Sequence, residues 1–153
     1  MPTIFHRVLI RADRAKIYDA ITTKEGLSKW WIADCIAKPE IGFINESKVG
    51  KHVHNKMKVI DLKPGTSVEW ECLNEKDAWT GTHVTFELSE KGDFSCMDFK
   101  HKGYKNQDGF FATCNYHWGR HLTMLKNFCE TGKAQVDKKK EIKEVKAVRH
   151  GKA

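Results

Sequence analysis

The chain has 153 residues, of which 40% are hydrophobic, and it includes five tryptophans and eight phenylalanines, which is enough apolar material for one core in one domain. No apolar run approaches the ~20 residues that cross a bilayer, and the first residues lack the charged start and apolar stretch of a secretion signal, so we expect a cytoplasmic protein without a membrane span. The formal net charge is +7, and the five cysteines are scattered without a Cys-x-x-Cys pair, which favours reduced thiols over a disulfide framework.

The first predicted elements are a strand and two short helices. Residues 4–10 alternate with the period of two that a half-buried strand requires. Asp13 then stands where an N-cap residue accepts the first amide hydrogens of a helix. The segment 25–27, Glu-Gly-Leu, opens a second short turn that ends at Trp30-Trp31. We expect this tryptophan pair to be exposed.

Six further runs are predicted to be strands, and a long helix closes the chain. The strands are expected at residues 33–37, 43–46, 51–62, 67–73, 80–90 and 94–101. The segment 90–93, Glu-Lys-Gly-Asp, is typical of a hairpin turn between the last two. From residue 108 to 131 the apolar positions step by three and four, which indicates one continuous helical stripe. The stripe consists of Phe111, Cys114, Trp118, Leu122, Leu125 and Cys129.

Six segments in this order resemble one known family over residues 3–132. They are IRADRAKIYDAITTKEGLSKWW at 10–31, KVIDLKPG at 58–65, VEW at 68–70, GTHVTFEL at 81–88, MDFKHKG at 97–103 and the helix with Trp118-Gly119, Leu122 and Leu125. Together they resemble the Hsp90-ATPase-activator-homologue-like (AHSA1-like) branch of the START/Bet v 1-like, or SRPBCC, superfamily. Ala12-Asp13 stands where the family usually has Ala-Pro, and since aspartate caps a helix as well as proline starts one, the fold is unaffected.

The resemblance and the helical stripe imply the same fold class. It is an α+β helix-grip fold, in which a curved antiparallel sheet wraps around a long carboxyl-terminal helix and two short helices follow the first strand. Such a helix has to bury its apolar stripe, and a curved sheet is the partner of sufficient size. We therefore predict one domain over residues 1–132, followed by a tail over residues 133–153.

The space between sheet and helix is the predicted functional site, since concave apolar spaces with a few polar groups are the usual ligand sites. Strand alternation and the helical stripe turn a common set of side chains inward. The predicted lining residues are Trp70, Phe86, Met97, Phe99, His101, Trp118, His121 and Leu122. The leading interpretation is a module that holds a small hydrophobic or amphipathic molecule without a cofactor, and for each aromatic residue plain core packing is the alternative.

Two other function classes stay open. An enzyme could use His101, Asp98 or His121 for acid-base chemistry on a molecule in the pocket, as some members of the wider superfamily do, although this rests on fold analogy. The resemblance also implies a chaperone-associated module linked to Hsp90 and to the stress response. The sequence leaves a homodimer open as well.

Metal binding is a weaker alternative. Cys114, His117 and His121 are spaced by three and four residues on the last helix, and His101 is a conceivable fourth ligand for zinc. The pattern lacks the glutamate of a His-Glu-x-x-His helix, and the resemblance implies no metal, so we predict a metal-free protein. The pair His52-x-His54 on a strand carries no stronger signal.

Most of the positive charge lies in the tail. Residues 133–153 hold eight basic and three acidic residues, a net charge of +5 that leaves +2 for residues 1–132. The tail has no aromatic residue to stack on a base, so we expect no specific nucleic-acid partner. It offers little apolar area to bury, and we expect either disorder or an extension of the last helix. Removal of residues 134–153 should accordingly leave the thermal midpoint nearly unchanged.

Overall fold

The computed structural model describes residues 1–137, and these form seven strands and three helices. In chain order they are β1 (Thr3–Ile10), α1 (Arg14–Thr22), α2 (Lys24–Trp30), β2 (Asp34–Ile36), β3 (Ile44–Val49), β4 (His52–Lys63), β5 (Ser67–Cys72), β6 (His83–Lys91), β7 (Phe94–Lys102) and α3 (Gly109–Thr131). Each of them corresponds to an element predicted from the sequence.

The strands form one antiparallel sheet in the order β1-β7-β6-β5-β4-β3-β2. The register shifts once between Ser47 and Lys48 on β3 and once between Val59 and Asp61 on β4, and irregularities of this kind bend a strand. The β6–β7 hairpin closes through Gly92, whose φ of 63° is accessible to glycine at little cost. The sheet curves around α3, which confirms the predicted helix-grip fold.

Helix α3 has the boundaries and the buried face that its sequence predicts. The Asp108 carboxylate accepts a hydrogen bond from the Phe111 N–H at 3.0 Å at its start. Gly132 ends the helix in the left-handed conformation, and its N–H donates to the Phe128 carbonyl. The buried residues are Cys114, Trp118, Leu122, Leu125 and Cys129, and Phe111 is half-buried. The apolar stripe therefore faces the sheet.

The two short helices are held together by a close backbone approach. The Thr23 hydroxyl caps the start of α2 by accepting from the Gly26 N–H at 3.0 Å. Gly26 lies so near α1 that a Cβ there would stand 2.5 Å from Ala20 Cα. The Trp30 indole N–H donates to the Ala20 carbonyl at 2.8 Å.

The tryptophan pair after α2 is buried, so the prediction of an exposed pair was wrong. Trp30 is 0% and Trp31 is 3% exposed. The Trp31 ring lies 5.5 Å from the ring of Trp70 on β5, and Trp30 meets Phe86 edge-on at 6.4 Å. Two adjacent aromatic residues at the end of a helix resemble a surface patch in the sequence, because only the sheet that covers them makes them core residues.

All five cysteines are free and buried, as expected of small core residues. No helix within residues 1–137 is long and apolar enough to cross a membrane. The Gln135 N–H donates to the Lys29 carbonyl at 2.7 Å, so the start of the predicted tail contacts α2. The remainder of the tail prediction, over residues 138–153, lies outside the described residues.

The close approach at Gly26 yields a stability prediction. Gly26→Ala should lower the free energy of unfolding by about 1–3 kcal/mol, because the added methyl meets backbone atoms that cannot move aside without separating α1 from α2. Gly109→Ala is the matched control, since a Cβ there meets open space. Urea denaturation of both variants measures the difference, and equal stabilities would contradict the assigned packing.

Candidate functional site

The concave face of the sheet carries a connected layer of aromatic rings beneath α3. Phe86 and Phe99 are register partners on β6 and β7, and their ring centroids lie 5.3 Å apart. Trp70 meets Phe86 edge-on at 5.2 Å, and Trp118 of α3 lies 4.5 Å from Phe99. These rings are at most 4% exposed. Sheet and helix are thus joined by ring packing, and this part of the predicted pocket lining is filled by its own side chains.

A polar cluster adjoins the aromatic layer, and His101 is its centre. Its imidazole is 0% exposed. Nε2 lies 2.8 Å from the Thr82 hydroxyl, while Nδ1 lies 3.0 Å from the Trp118 indole nitrogen and 3.0 Å from the Tyr104 hydroxyl. The cluster therefore links β7, the loop before β6, the loop after β7, and α3.

The partners of His101 determine which ring nitrogen carries the proton. An indole nitrogen can only donate, so Nδ1 accepts the hydrogen bond from Trp118 and the proton resides on Nε2. Nε2–H then donates to the Thr82 oxygen, and the Thr82 hydroxyl donates to the Trp79 carbonyl at 2.6 Å. His101 is a neutral imidazole whose two nitrogens are both engaged.

Burial keeps this imidazole neutral. Desolvation lowers the pKa of His101 from 6.5 to about 3, because the charged form would lose its hydration without gaining an acidic partner. Burial also raises the pKa of the neighbouring Tyr104 hydroxyl and Cys114 thiol. These groups are all uncharged near neutral pH, so the cluster offers hydrogen bonds rather than a charge.

Trp79 covers the cluster from the loop between β5 and β6. Its ring stands edge-on to His101 at 4.8 Å and lies parallel to Trp118 at 6.0 Å, with 14° between the planes. Its Nε1 is buried without a hydrogen-bond partner among residues 1–137, although the Tyr104 hydroxyl and the Cys114 thiol lie close by. A buried donor without a partner costs about 1–3 kcal/mol.

Side-chain hydrogen bonds tie this loop to the sheet. The Asn74 amide donates to Asn55 at 2.8 Å and to Asp77 at 2.9 Å, and the Thr80 hydroxyl donates to the Asn74 carbonyl at 2.7 Å. The Trp79 backbone N–H donates to the Asp77 carboxylate at 2.8 Å. These hydrogen bonds hold the loop that covers the cluster against the sheet.

The other predicted lining residues take different places. Met97 is 0% and Leu122 is 1% exposed, and both lie in the core. His121 is half-buried, and its Nδ1–H donates to the His117 carbonyl one turn earlier at 2.9 Å. The structure thus brings together the aromatic residues and His101 of the predicted lining, whereas the His121 ring bonds to its own helix.

Asp98 is one of the three residues predicted as candidates for acid-base chemistry in the pocket, and its place there is wrong because it does not share a site with His101. Residues three apart on a strand point to opposite faces. Asp98 lies on the convex face, where the Arg7 guanidinium bonds it at 2.8 and 3.0 Å. Those hydrogen bonds lower the pKa of the Asp98 carboxyl. It is an ion-paired residue of the convex face, and within residues 1–137 the hydrogen-bond partners of the His101 ring are Thr82, Tyr104 and Trp118, none of them an acid.

No group of three or more His, Cys, Asp or Glu side chains within residues 1–137 could hold a metal ion. The cysteine and histidines spaced along α3 do not form such a group. Cys114 is buried beside Tyr104, and the His121 ring bonds to a backbone carbonyl. Spacing along a helix places residues on one flank, but their ligating atoms also have to point to one centre.

A surface cleft of about 320 Å³ lies at the other end of β7, where the β6–β7 hairpin meets the start of α1. The Arg11 guanidinium stacks over Phe94 at 4.8 Å, and the Ser95 hydroxyl donates to the Ala12 carbonyl at 2.7 Å. Arg14 approaches Glu90 at 3.6 Å. Both signs of charge line this cleft, so it has no preference for one class of charged ligand.

Sequence reasoning missed three members of the polar cluster. Trp79 and Tyr104 lie in loops, which lack the periodicity that indicates which side chains point inward. Thr82 had the correct inward parity, but nothing in the pattern showed that it would meet His101. One signal in the sequence could have found them. Trp79 stands just before β6 and Tyr104 just after β7, so an aromatic residue flanks each side of a hairpin whose strands alternate regularly.

The comparisons with known proteins agree with this architecture. Residues 11–130 match the family described as Activator of Hsp90 ATPase homolog 1-like protein. A solution structure of the Aha1 dimer from Colwellia psychrerythraea is 32% identical, with a TM-score of 0.80 over 86% of this chain and 98% of that one. No curated protein matches the sequence.

More distant structures share the fold alone. Protein MLL2253 from Mesorhizobium loti is 17% identical, with a TM-score of 0.72 over 82% of this chain and 95% of that one. CalU16 from Micromonospora echinospora is 16% identical, with a TM-score of 0.71 over 95% of this chain and 84% of that one.

The contact between α3 and the sheet yields a second prediction. Trp118→Ala should cost roughly 3–5 kcal/mol of stability, because it removes the ring packing against Phe99 and the hydrogen bond to His101. His117→Ala on the same helix should cost less than about 0.5 kcal/mol. Urea denaturation compares the two variants. A large loss for His117→Ala that a chelator reproduces in the wild type would instead indicate a metal ligand.

The buried imidazole yields a prediction for the pH dependence of stability. In the unfolded chain the pKa of His101 returns to about 6.5, so below that pH the unfolded state binds a proton that the folded state does not. The free energy of unfolding should therefore fall as the pH decreases from about 6.5, by up to about 1.4 kcal/mol per pH unit. His101→Gln should reduce this slope between pH 7 and pH 5. Urea denaturation across this range decides the matter; an unaltered slope in His101→Gln would contradict the assignment.

Proposed function

The chain belongs to the family of Activator of Hsp90 ATPase homolog 1-like proteins, and on that premise we propose that it is a binding module for a small hydrophobic or amphipathic molecule. The molecule binds between the sheet and α3, at the polar cluster around His101. The five cysteines are free, which suits a reducing compartment, and the cytoplasm is part of this proposal.

The observation that carries the proposal is a hydrogen-bonded polar cluster that adjoins the aromatic layer under α3 and is covered by a loop residue, Trp79. Ligand sites are mainly apolar and contain a few polar groups that orient the bound molecule. His101, Thr82 and Tyr104 supply such groups at 2% exposure or less. Trp79 lies in the loop between β5 and β6, so its displacement breaks hydrogen bonds of that loop, such as the one from Thr82 to the Trp79 carbonyl, but no pairing between strands.

The position of the Trp79 ring indicates the shape of the ligand. The ring occupies a slot that is face-on to Trp118 and edge-on to His101. The ligand takes this slot when the loop moves outward, so a flat ring system of similar size fits best. One polar substituent would meet the Tyr104 hydroxyl. Movement of the cover also brings the Trp79 indole N–H, which has no hydrogen-bond partner among residues 1–137, into contact with water.

The test is whether this slot accepts a ring when the cover is removed. Trp79→Ala should bind indole, and saturation at about ten times the dissociation constant should raise its thermal midpoint by a few degrees. Tyr116→Ala removes an aromatic ring that is 65% exposed on α3 and should gain no affinity for indole. If indole leaves the midpoint of Trp79→Ala unchanged, the slot does not persist as a binding site.

The natural ligand requires a separate measurement on the wild type. Native mass spectrometry of the gently purified chain should show a small bound molecule that is released at higher collision energy. The same preparation of His101→Gln should carry less of it. Equal occupancy in both proteins would place the molecule elsewhere, and an empty wild type that binds no ring compounds would remove the support for this function.

An Hsp90-associated role is the second candidate. The observation that favours it is the 32% identity to a protein described as Aha1, together with the family description. Because the interior is closed, such a contact would use the outer surface. Addition of the chain to a purified Hsp90 should increase the rate of ATP hydrolysis, and an unchanged rate at saturating chain would exclude this candidate.

We also propose that the chain forms a homodimer. The Colwellia psychrerythraea structure is described as a dimer, and it covers 86% of this chain. Acid-base catalysis by Asp98 together with His101 is not part of this proposal, since Asp98 lies on the convex face and both nitrogens of His101 are engaged.

A further inference from the structure

Strand β1 is one edge of the sheet, and half of this edge is open. The Leu9 carbonyl accepts from the Lys126 ammonium at 2.6 Å, and the Arg11 N–H donates to Glu130 at 2.8 Å. Both groups point away from β7. Because the N–H and C=O of one residue point to the same side and alternate along an antiparallel strand, those of Thr3, Phe5 and Arg7 face the open edge too.

Side chains of α3 bond to the backbone of only one half of the edge, the half at Leu9 and Arg11. Lys126 and Glu130 pair with each other at 2.8 Å and occupy the edge at Leu9 and Arg11, which prevents another strand from pairing there. Within residues 1–137, no side chain bonds to the backbone of Thr3, Phe5 or Arg7. An uncapped strand edge is a template for another strand.

Phe5 is the exposed apolar side chain of the open half, and it stands between Thr3 and Arg7 on the convex face. Phe5 is 54% exposed, and the Lys100 ammonium lies 5.4 Å from its ring centroid. Arg7 is held away from the edge by its bidentate pair with Asp98. The open half of β1 therefore presents an aromatic ring, and the one charged side chain that it carries is paired with Asp98, while Lys100 and Lys102 stand beside it on β7.

We propose that β1 pairs antiparallel with β1 of a second copy of this chain, about a two-fold axis through Phe5. The two sheets then form one continuous sheet across the dimer. This inference rests on the proposed homodimer and assigns its surface. A two-fold axis here is the usual arrangement of a dimer, in which one patch contacts itself.

The capped edge and the charges determine the register. An axis at Phe5 places each Phe5 opposite its copy and each Thr3 opposite the partner's Arg7, so all the open backbone groups are used. An axis at Arg7 would place two guanidinium groups opposite each other and would require the Leu9 edge, which Lys126 occupies. Cross-strand aromatic pairs stabilise a sheet and like charges destabilise it, so the Phe5 register is preferred.

The test compares the same substitution on the open half and the capped half of β1. Sedimentation of the full chain from about 1 µM to about 1 mM should show a monomer–dimer equilibrium. Phe5→Lys places two ammonium groups opposite each other and should weaken the dimer by at least about tenfold. Leu9→Lys is the matched control, since Leu9 is 40% exposed on the same face but lies where the edge is capped, and it should leave the dissociation constant unchanged.

A charge-reversal experiment tests the register itself. If each residue 5 faces its own copy, a mixture of Phe5→Lys and Phe5→Glu chains should recover dimer that neither forms alone. A wild type that is monomeric throughout would overturn both the homodimer and this surface. A dimer that persists in Phe5→Lys, or equal loss in Phe5→Lys and Leu9→Lys, would overturn the assigned edge alone, and failure of the mixture to dimerise would overturn the register.

Discussion

The hydrogen bond from the Trp118 indole to His101 is the contact on which the interior depends. It joins the long helix to β7 at the point where the aromatic layer meets the polar cluster. Ring packing alone lets a helix slide along an apolar face, whereas an indole N–H has one direction and needs one acceptor. Nδ1 of His101 is available as the acceptor because the ring carries its proton on Nε2. The Thr82 oxygen accepts the hydrogen bond from Nε2–H. The position of α3 and the choice of the protonated nitrogen in His101 therefore depend on each other.

The same constraint explains why the interior is closed. A neutral imidazole with both nitrogens bonded can be buried at moderate cost, and Trp79 completes the burial from outside. Any molecule that enters has to replace a ring that already packs well. The proposed ligand site would therefore favour flat molecules of similar size over a broad range of lipids, with an affinity that includes the cost of moving one loop.

The two faces of strand β7 have different roles in the domain. Its inward residues Phe99 and His101 build the core contact with α3, while Asp98 between them faces outward and pairs with Arg7 of the edge strand. Alternation along one strand thus supplies both the candidate ligand site and the neutralised surface beside the open edge. Changes in one set need not disturb the other, which makes the proposed binding and pairing functions separately testable.

The sequence by itself determined the elements, their order, the helix cap at Asp13 and which side chains of β5, β6 and β7 point inward. These features depend on local periodicity and on backbone groups within a few residues. It also indicated the family through six ordered segments. Only the tertiary structure decided that Trp30 and Trp31 are buried, that Asp98 serves the surface, and that Trp79 and Tyr104 join His101. Those facts depend on contacts between segments far apart in the chain, where loops bring side chains together without any repeating pattern to announce them.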